Sequence, residues 1–334
     1  MSKRVLVIGA TGAMGQYLVP KLSELGYEID ALALDDPRQS YPNVTYYKAN
    51  FKDKQVHDAF LAKNYDGIVD FMTYRTAELA TELPLLASST GHYIYLSSCR
   101  VFANEECPIK ESSPRLLDVS KDEALLASDD YCMYKARGEE VLRGLERKSW
   151  TIVRPSTTFS FMRYQLVTLE AADTVGRAFR GKTVVLPVQA YNIPSSMTWG
   201  GDVASMLANL LFNERALGED FNVTSAEWHP WSEVADYYKE ICNLHAIWVD
   251  KEDYLRILDP NLTLPKRWQL EYARLFNRAY DNSKMLEVTG LKQEQFKSLF
   301  DGLSYEISRC PKDYPFRNLN RMDDYLEQLI ASPR

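Results

Sequence analysis

A short apolar run near the start of the chain leads directly into a glycine-rich segment. Val5-Leu6-Val7-Ile8 has the composition of a strand buried on both faces, and Gly9-Ala10-Thr11-Gly12-Ala13-Met14-Gly15 follows it at once. Leucines then recur at helical spacing until Gly26 ends the predicted helix. This order favours a dinucleotide-binding loop, because glycine lets the backbone approach a pyrophosphate and the helix N-terminus offers N–H groups to it. The alternative is a tight turn with a purely structural role.

The alternation of strand-like and helix-like segments continues through the first half of the chain. Further strands are predicted over residues 29–34, 44–48, 67–71, 92–96 and 151–155, with helices over 56–62 and 77–87 between them. This alternating order of strands and helices predicts an α/β fold with a parallel, doubly wound sheet.

Beyond Pro155 the pattern loosens. Short strands are predicted over 184–187 and 221–223, and helices over 203–212 and 231–241. These elements predict a smaller, mixed α/β substrate lobe in the C-terminal half. We therefore expect a dinucleotide-binding domain over 1–155, to which 196–225 returns, and a substrate-binding lobe made from 156–195 and 226–334.

The composition of the 334 residues limits the partners and the compartment. A formal charge of −7 gives no general attraction to nucleic acid or to an anionic membrane. No apolar run approaches the ~20 residues of a membrane span. Five cysteines without paired spacing favour the reducing cytoplasm, and with four scattered histidines they make no metal-binding pattern. We expect no metal, no nucleic acid and no membrane among the partners.

Tyr131 and Lys135 stand four residues apart, which places both side chains on one face of a helix. An ammonium in that position favours the phenolate form of a tyrosine. Such a tyrosine can take a proton from a hydroxyl while a nicotinamide takes the hydride. Glu139 follows Lys135 at the same spacing, so the alternative is a surface salt bridge between these two residues.

Two further polar residues lie at predicted strand ends. Ser98 follows the strand at 92–96, where its hydroxyl can hydrogen-bond a substrate oxygen and share a proton with Tyr131; otherwise it is a cap. Asp35 closes the second strand, where a carboxylate accepts the ribose hydroxyls of NAD and repels the 2′-phosphate of NADP. Arg38 is near enough to leave NADP open, and Asp35 is otherwise a solvated loop acid.

At these residues the sequence resembles the extended short-chain dehydrogenase/reductases, especially the nucleotide-sugar epimerases and dehydratases. The glycine run resembles their Gly-x-x-Gly-x-x-Gly loop, and Ser97-Ser98-Cys99-Arg100-Val101-Phe102 their Ser-Ser-x-x-Val-Tyr strand end. Tyr131-x-x-x-Lys135 is similar to their catalytic helix, and Asp281-Asn282-Ser283-Lys284 to their C-terminal signature. The resemblance runs nearly from end to end and implies a Rossmann-type fold.

The resemblance also implies roles for individual residues. The catalytic residues would be Ser98, Tyr131 and Lys135, and Lys135 would also hold the nicotinamide ribose. The cofactor would be contacted by Gly9, Thr11, Gly12, Ala13, Met14, Gly15, Asp35, Asn50, Phe51, Phe71, Met72, Thr73, Arg75 and Pro155. The substrate would meet Ser98, Thr157 and Arg163.

Three departures from the family pattern bear on the reaction. Cys99-Arg100 stand where sugar 4,6-dehydratases carry an Asp-Glu acid/base pair, which argues against dehydration by that route. Asp70-Phe71-Met72-Thr73 differs from the usual His-x-Ala-Ala. The stretch from Ser98 to Tyr131 is longer than usual, and its part over 112–130 predicts an inserted flap or lobe near the active site.

We therefore expect a cytoplasmic, homodimeric, NAD(P)-dependent enzyme that acts on a sugar hydroxyl or carbonyl. The leading hypothesis is a nucleotide-sugar epimerase that uses NAD and recycles it, with NADP left open. An NAD(P)-dependent dehydrogenase or reductase of a small alcohol or carbonyl is the alternative. A non-catalytic dinucleotide sensor or RNA-binding relative is a lesser one, because such relatives lose the tyrosine–lysine pair and RNA binders need a basic face.

Overall fold

The computed structural model describes residues 2–317 and 320–331. The first half forms, in chain order, β1 (Arg4–Ile8), α1 (Gly15–Glu24), β2 (Glu28–Ala33), β3 (Val44–Lys48), α2 (Lys54–Leu61), β4 (Gly67–Asp70), α3 (Thr76–Ser88), β5 (His92–Leu96), α4 (Leu116–Val119), α5 (Glu123–Ala127), α6 (Tyr131–Arg143) and β6 (Trp150–Arg154). The second half forms β7 (Thr157–Phe159), α7 (Val175–Ala178), β8 (Val184–Pro187), β9 (Pro194–Ser195), β10 (Met197–Trp199), α8 (Gly200–Leu210), β11 (Glu219–Asn222), β12 (His229–Pro230), α9 (Trp231–Cys242), β13 (Ala246–Val249), α10 (Lys251–Leu258), α11 (Leu264–Gln269), α12 (Ser283–Thr289), α13 (Leu299–Ser308) and α14 (Arg321–Ala331).

Seven strands form one parallel sheet in the order β11-β6-β5-β4-β1-β2-β3. The predicted α/β fold with a doubly wound sheet is therefore confirmed. From β1 the chain proceeds outward through β2 and β3, and then returns to place β4 on the other side of β1. Ligands of open α/β sheets bind outside the carboxyl ends of the strands at such a reversal, so the ends of β1 and β4 are where a site is expected.

Apolar side chains pack against both faces of this sheet. Leu18 of α1 and Leu207 of α8 are fully buried on one face. Leu83 of α3 and Leu142 of α6 are fully buried on the other. Because strands β1, β4, β5 and β6 are covered on both faces, they read in the sequence as continuous apolar runs. Truncation of one such leucine to alanine costs about 2–5 kcal/mol of unfolding free energy.

Gly138 brings α6 close to the sheet. A Cβ atom at this position would lie 2.3 Å from the hydroxyl oxygen of Tyr95 on β5, so a larger residue would push the helix away. Tyr131 and Lys135 stand two and one turns before Gly138 on the same helix. The close approach therefore sets how near these two side chains come to the end of β5.

The chain divides into two compact units. The first unit contains residues 1–158, 198–226 and 280–296, and the second contains 159–197, 227–279 and 297–334. The segment 280–296 differs from the division expected from the sequence, which placed it in the substrate lobe. Met285 of this segment is fully buried in the core beside the sheet. The Asn282 side-chain amide donates to the carbonyl of Thr224 at 2.9 Å, which fixes the segment next to the end of β11.

The second unit has its own small parallel pair, β8 with β13. Trp231, at the start of α9, is buried, and its indole N–H donates to the carbonyl of Arg274 at 3.0 Å. The aromatic-rich stretch before residue 278 forms α10, α11 and a π-helical turn, Leu270–Arg274. Across both units, no helix among the described residues has the length and apolar character needed to cross a bilayer.

The expected insertion over 112–130 contains the short helices α4 and α5 and lies against α6. The Arg137 guanidinium of α6 donates to the carbonyl of Ser128 at 2.8 Å, and a hydroxyl–carboxylate bond joins Thr76 to Asp129 at 2.5 Å. Arg115 at its start pairs with Asp118 at 2.8 Å. The bonds of Arg137 and Thr76 fix this segment to α6 and α3.

Protonation of His92 is expected to lower the free energy of unfolding as the pH falls from 6.5 to about 4. His92 is buried at the start of β5, where its Nδ1 accepts the amide N–H of Phe212 at 2.9 Å and its Nε2 lies 2.7 Å from the hydroxyl oxygen of Thr151. Burial lowers the pKa of His92 from its usual 6.5 to about 4. Within that window His92 is protonated in the unfolded chain but neutral in the folded protein. The unfolding free energy therefore decreases by up to about 3 kcal/mol as the pH falls.

Urea unfolding of His92→Gln across this pH range tests the expectation, with the exposed His245→Gln variant as the matched control. The pH dependence between 6.5 and 4 should shrink in His92→Gln and persist in His245→Gln. An unchanged slope in His92→Gln would show that His92 is protonated equally in the folded and unfolded states.

Candidate active site

The glycine turn lies between β1 and α1, at the carboxyl end of the central strand. Gly9 has a φ of +84°, a conformation that favours glycine, and its amide donates to the carbonyl of Leu32 at 2.8 Å. A Cβ atom at Gly15 would lie 2.5 Å from the carbonyl oxygen of Gly9 and 2.7 Å from that of Ala10. Position 15 therefore has no room for a side chain, and the turn leads into the N-terminus of α1. This is the cradle that a pyrophosphate requires.

Several predicted cofactor residues surround this end of the sheet. Asp35 and Asn50 are exposed just beyond β2 and β3, whereas Phe51 is buried in the core. Phe71, Met72 and Thr73 are half-buried directly after β4, and a Cβ atom on Gly9 would lie 3.1 Å from that of Phe71. Arg75 is exposed, and its guanidinium lies 5.0 Å from the ring centre of Tyr134. Arg38 donates to the side-chain carbonyl of Gln16 at 3.3 Å.

Lys135 is buried between α6 and the ends of β4 and β5. Its Nζ donates to the carbonyl of Leu96 at 2.6 Å and to that of Met72 at 3.3 Å. The same atom lies 5.9 Å from the ring centre of Tyr131 and 5.1 Å from that of Tyr95. Burial lowers the pKa of Lys135 from 10.5 to about 8, against the opposing pull of two carboxylates. The lysine thus stands beside Tyr131 with its ammonium fixed by strand-end carbonyls.

Tyr131 begins α6 and is half-buried. The carboxylate of the preceding residue, Asp130, caps the helix by accepting the amide of Cys132 at 3.1 Å. Asp130 also pairs with the Arg100 guanidinium at 3.2 Å, and that guanidinium lies 5.3 Å from the ring centre of Tyr131. The tyrosine is therefore flanked by two cations, Lys135 and Arg100.

The two serines at the end of β5 have different partners. The hydroxyl of Ser97 donates to the Glu139 carboxylate at 2.6 Å and is fully buried. The Ser98 oxygen accepts the amide of Arg100 at 3.1 Å, as the cap of a short 3₁₀ turn. Because Ser98 accepts in this contact, its own hydrogen can be donated to a ligand oxygen.

Glu139 pairs with arginines rather than with Lys135. Its carboxylate is fully buried and contacts Arg154 at 2.7 and 2.8 Å and Arg115 at 3.1 Å. Burial alone would raise the pKa of Glu139, but the arginine charge outweighs it and lowers the pKa to about 2. The surface salt bridge weighed as the alternative for Lys135 is therefore wrong, because both side chains are buried.

The remaining predicted residues lie further along the chain. Pro155 is buried, and its carbonyl accepts the amide of Cys99 at 3.0 Å. Thr157, in the first unit, is half-buried. Arg163 belongs to the second unit, where its backbone pairs with Ser160 at 2.9 and 3.1 Å. Within residues 2–317 and 320–331, no group of three or more histidine, cysteine or acidic side chains is arranged to hold a metal ion.

Sequence reasoning gave no role to Asp70, which is buried at the end of β4. Its carboxylate accepts the hydroxyls of Tyr74 and Tyr93 at 2.9 and 2.8 Å and the amide of Met72 at 2.8 Å. Burial raises the pKa of Asp70 above its usual value. In the sequence, the only indication of a role is that a carboxylate ends a short apolar run. The fold is needed to show which side chains surround this carboxylate.

Comparison with known proteins assigns the first half of the chain. Residues 5–168 match the sequence profile of the NAD dependent epimerase/dehydratase family. This range contains the glycine turn, Ser98 and the Tyr131–Lys135 pair. No curated protein sequence matches the chain significantly.

Solved structures with the same fold cover nearly the whole chain. An epimerase from Methanothermobacter thermautotrophicus is 15% identical with a TM-score of 0.69, covering 99% of this chain and 95% of its own. UDP-glucose 4-epimerase from Thermus thermophilus, in complex with NAD, is 17% identical with a TM-score of 0.64, covering 91% and 98%. dTDP-glucose 4,6-dehydratase from Bacillus anthracis, in complex with NAD, is 15% identical with a TM-score of 0.67, covering 92% and 96%. At these identities the likeness shows the fold, and the match over residues 5–168 places that part of the chain in the NAD-dependent epimerase/dehydratase family.

Proposed function

We propose that the protein is an NAD-dependent nucleotide-sugar epimerase. The observation that carries the proposal is the placement of Tyr131 beside the buried ammonium of Lys135, at the same strand ends as Ser98. Two structural relatives are named for nucleotide sugars, a UDP-glucose 4-epimerase and a dTDP-glucose 4,6-dehydratase, and both were solved with NAD. We also expect a cytoplasmic homodimer.

The residues present fit a dinucleotide. The three glycines of the turn over Gly9–Gly15 leave its backbone open to close approach, Asp35 offers a carboxylate to the ribose, and Phe71, Met72 and Thr73 lie next to the turn. When bound, NAD supplies an acceptor for the hydride of a carbinol carbon. The protein's own contribution is to hold the nucleotide, orient the sugar and move one proton.

Tyr131 is the group that moves the proton. In this scheme its phenolate oxygen takes the hydrogen of the sugar hydroxyl, and it returns the proton when the sugar is re-formed. The nearby Lys135 ammonium places a positive charge beside Tyr131, and Ser98 donates a hydrogen bond to the sugar oxygen and steadies its orientation. A positioned acid–base group of this kind contributes about 10²–10⁴-fold to the rate.

The two residues after Ser98 disfavour elimination of water. Cys99 is buried and its thiol contacts the carbonyl of Arg154 at 3.2 Å, while Arg100 is paired with Asp130. Neither side chain offers a carboxyl acid or base. Epimerisation, which needs only Tyr131 to move protons, therefore suits the site better than dehydration.

Native mass spectrometry of the purified protein, with the released nucleotide identified, tests the proposal. NAD that co-purifies at one per chain supports a recycling epimerase, and nucleotide sugars should then turn over without added cofactor. A site that fills only on addition of NAD or NADP would favour a dissociating dehydrogenase or reductase. If neither nucleotide binds, the proposed function is wrong. The same spectrum reports whether the chain is a dimer.

We expect Asp35→Asn to narrow the preference for NAD over NADP by about tenfold or more. The carboxylate repels a 2′-phosphate at this strand end, and tenfold corresponds to about 1.4 kcal/mol. The measurement is the ratio of the two dissociation constants. Asp36→Asn is the matched control, since Asp36 is its neighbour and is paired with Lys48 at 2.6 Å. If this ratio changes equally in both variants, the adenosine ribose does not lie beside Asp35.

A further inference from the structure

The hydrogen bonds that hold Lys135 leave its charge uncompensated. Lys135 is 1% exposed, and its ammonium donates to the carbonyls of Leu96 and Met72. Carbonyl groups satisfy the donors of an ammonium but carry no net charge. A buried cation without an anion nearby is costly and tends to lose its proton.

Two aromatic rings lie near the Lys135 ammonium, and the charges of two carboxylates act on it. The rings are those of Tyr95 and Tyr131, and the carboxylates belong to Asp70 and Glu139. Glu139 is already neutralised, because Arg154 and Arg115 both bind it directly and Arg143 lies 3.6 Å away. Its charge is therefore shared among arginines.

Asp70 is placed differently. Among the described residues, the groups that donate to its carboxylate are neutral: the hydroxyls of Tyr74 and Tyr93 and the amide of Met72. The amide of Met72 binds Asp70, and the carbonyl of the same residue binds Lys135. The buried carboxylate of Asp70 and the buried ammonium of Lys135 thus bind the N–H and the carbonyl of the same residue, Met72.

We propose that Asp70 is the counter-charge of Lys135, a positioning residue that keeps this lysine protonated while Tyr131 works. The proposal rests on the function proposed above for the Tyr131–Lys135 pair. Burial lowers the pKa of Lys135 to about 8, and the charge of Asp70 opposes that fall. Without Asp70 the lysine should lose its proton at lower pH, and Tyr131 would lose the cation beside it.

The test is the titration of Lys135 by NMR in protein labelled with ¹³C at lysine Cε, with the signal assigned by its absence from Lys135→Met. The midpoint in wild type is expected near pH 8. In Asp70→Asn it should fall by about one pH unit or more, since a close opposite charge shifts such midpoints by 1–3 units. Tyr74→Phe removes one hydroxyl from Asp70 but keeps its charge, so there the midpoint should not fall.

Activity is a second and separate readout. The alkaline limb of the pH–kcat profile should move to lower pH in Asp70→Asn, by the same amount as the NMR midpoint. An unchanged NMR midpoint overturns the proposal, because Asp70 would then be uncharged or ineffective. A protein that turns over no sugar but shows the NMR shift disproves the proposed function and leaves the Asp70–Lys135 pairing intact.

A double-mutant cycle covers the case in which Asp70→Asn fails to fold. If the two charges compensate each other, Asp70→Asn should destabilise the Lys135→Met background less than it destabilises wild type. Recovery of folding in the double variant supports the pairing. Equal destabilisation in both backgrounds, or failure of both to fold, shows that Asp70 acts independently of Lys135 and overturns the proposal.

Discussion

Replacement of Tyr131 by phenylalanine is expected to lower kcat by about 10²–10⁴-fold while nucleotide binding and stability stay close to those of wild type. Only the phenolic oxygen is lost. The ring keeps its places beside the Arg100 guanidinium and the Tyr134 ring, at 5.3 and 5.4 Å between centres. Turnover of a nucleotide sugar and the dissociation constant of NAD, measured on the same preparation, separate the proton transfer from binding.

Tyr134→Phe is the matched control, three residues further along the same helix. Tyr134 is buried, its hydroxyl bonds to Thr73, and burial raises its pKa. It is therefore unsuited to give up a proton, and its loss should change kcat no more than a few-fold. A larger loss of kcat in Tyr134→Phe than in Tyr131→Phe would identify Tyr134 as the catalytic base. If neither substitution affects the function of the protein in the cell, the protein is a dinucleotide sensor rather than a catalyst.

Glu139→Gln is expected to destabilise the protein by about 3–5 kcal/mol, the cost of removing one partner from a buried ion pair. Arg154 is fully buried, and the loss of the Glu139 charge leaves it with Asp220, 2.6 Å away, as its remaining carboxylate contact. Glu140→Gln is the control: the Glu140 carboxylate is exposed, and its partners Arg115 and Arg143 keep other carboxylates, so its loss should cost less than about 1 kcal/mol.

Chemical denaturation at several pH values measures both variants and checks the sign of the effect. The pKa of Glu139 is about 2 in the folded protein and near 4.5 in the unfolded chain. Its stabilising contribution is therefore complete above pH 4.5 and is lost as the pH falls towards 2. The difference between wild type and Glu139→Gln should shrink over that range. A difference that is independent of pH would mean that packing, not charge, causes the loss.

Local signals in the sequence were enough to predict the sheet and the glycine turn. Strands β3, β5 and β8 have the predicted bounds, because short apolar or β-branched runs end there at turn residues or polar groups. The other strands of the large sheet and helices α2, α3 and α8 differ at their ends by one to three residues. The spacing of Tyr131 and Lys135 likewise predicts their shared helix face, since helical periodicity needs no tertiary information.

The environment of those residues could not be predicted from the sequence. Glu139 follows Lys135 at the spacing of a surface salt bridge, and only the fold brings Arg115 and Arg154 to it from distant positions. Asp70 is in the same situation, since Tyr74 is a local neighbour but Tyr93 comes from the adjacent strand. The return of 280–296 to the first unit depends on bonds such as that from Asn282 to Thr224, which no local pattern reveals.

The division of the first unit into three stretches of chain has a consequence for protein synthesis. The edge strand β11 and the buried Met285 belong to stretches that leave the ribosome well after Thr158. At about 5–20 residues per second, the interval between residues 158 and 296 lasts on the order of ten seconds. Until β11 has emerged, β6 has no neighbour on its outer side, and the apolar face that receives α8 and α12 stays partly uncovered until α12 has followed. Chaperones that bind nascent chains should therefore be needed most in this interval.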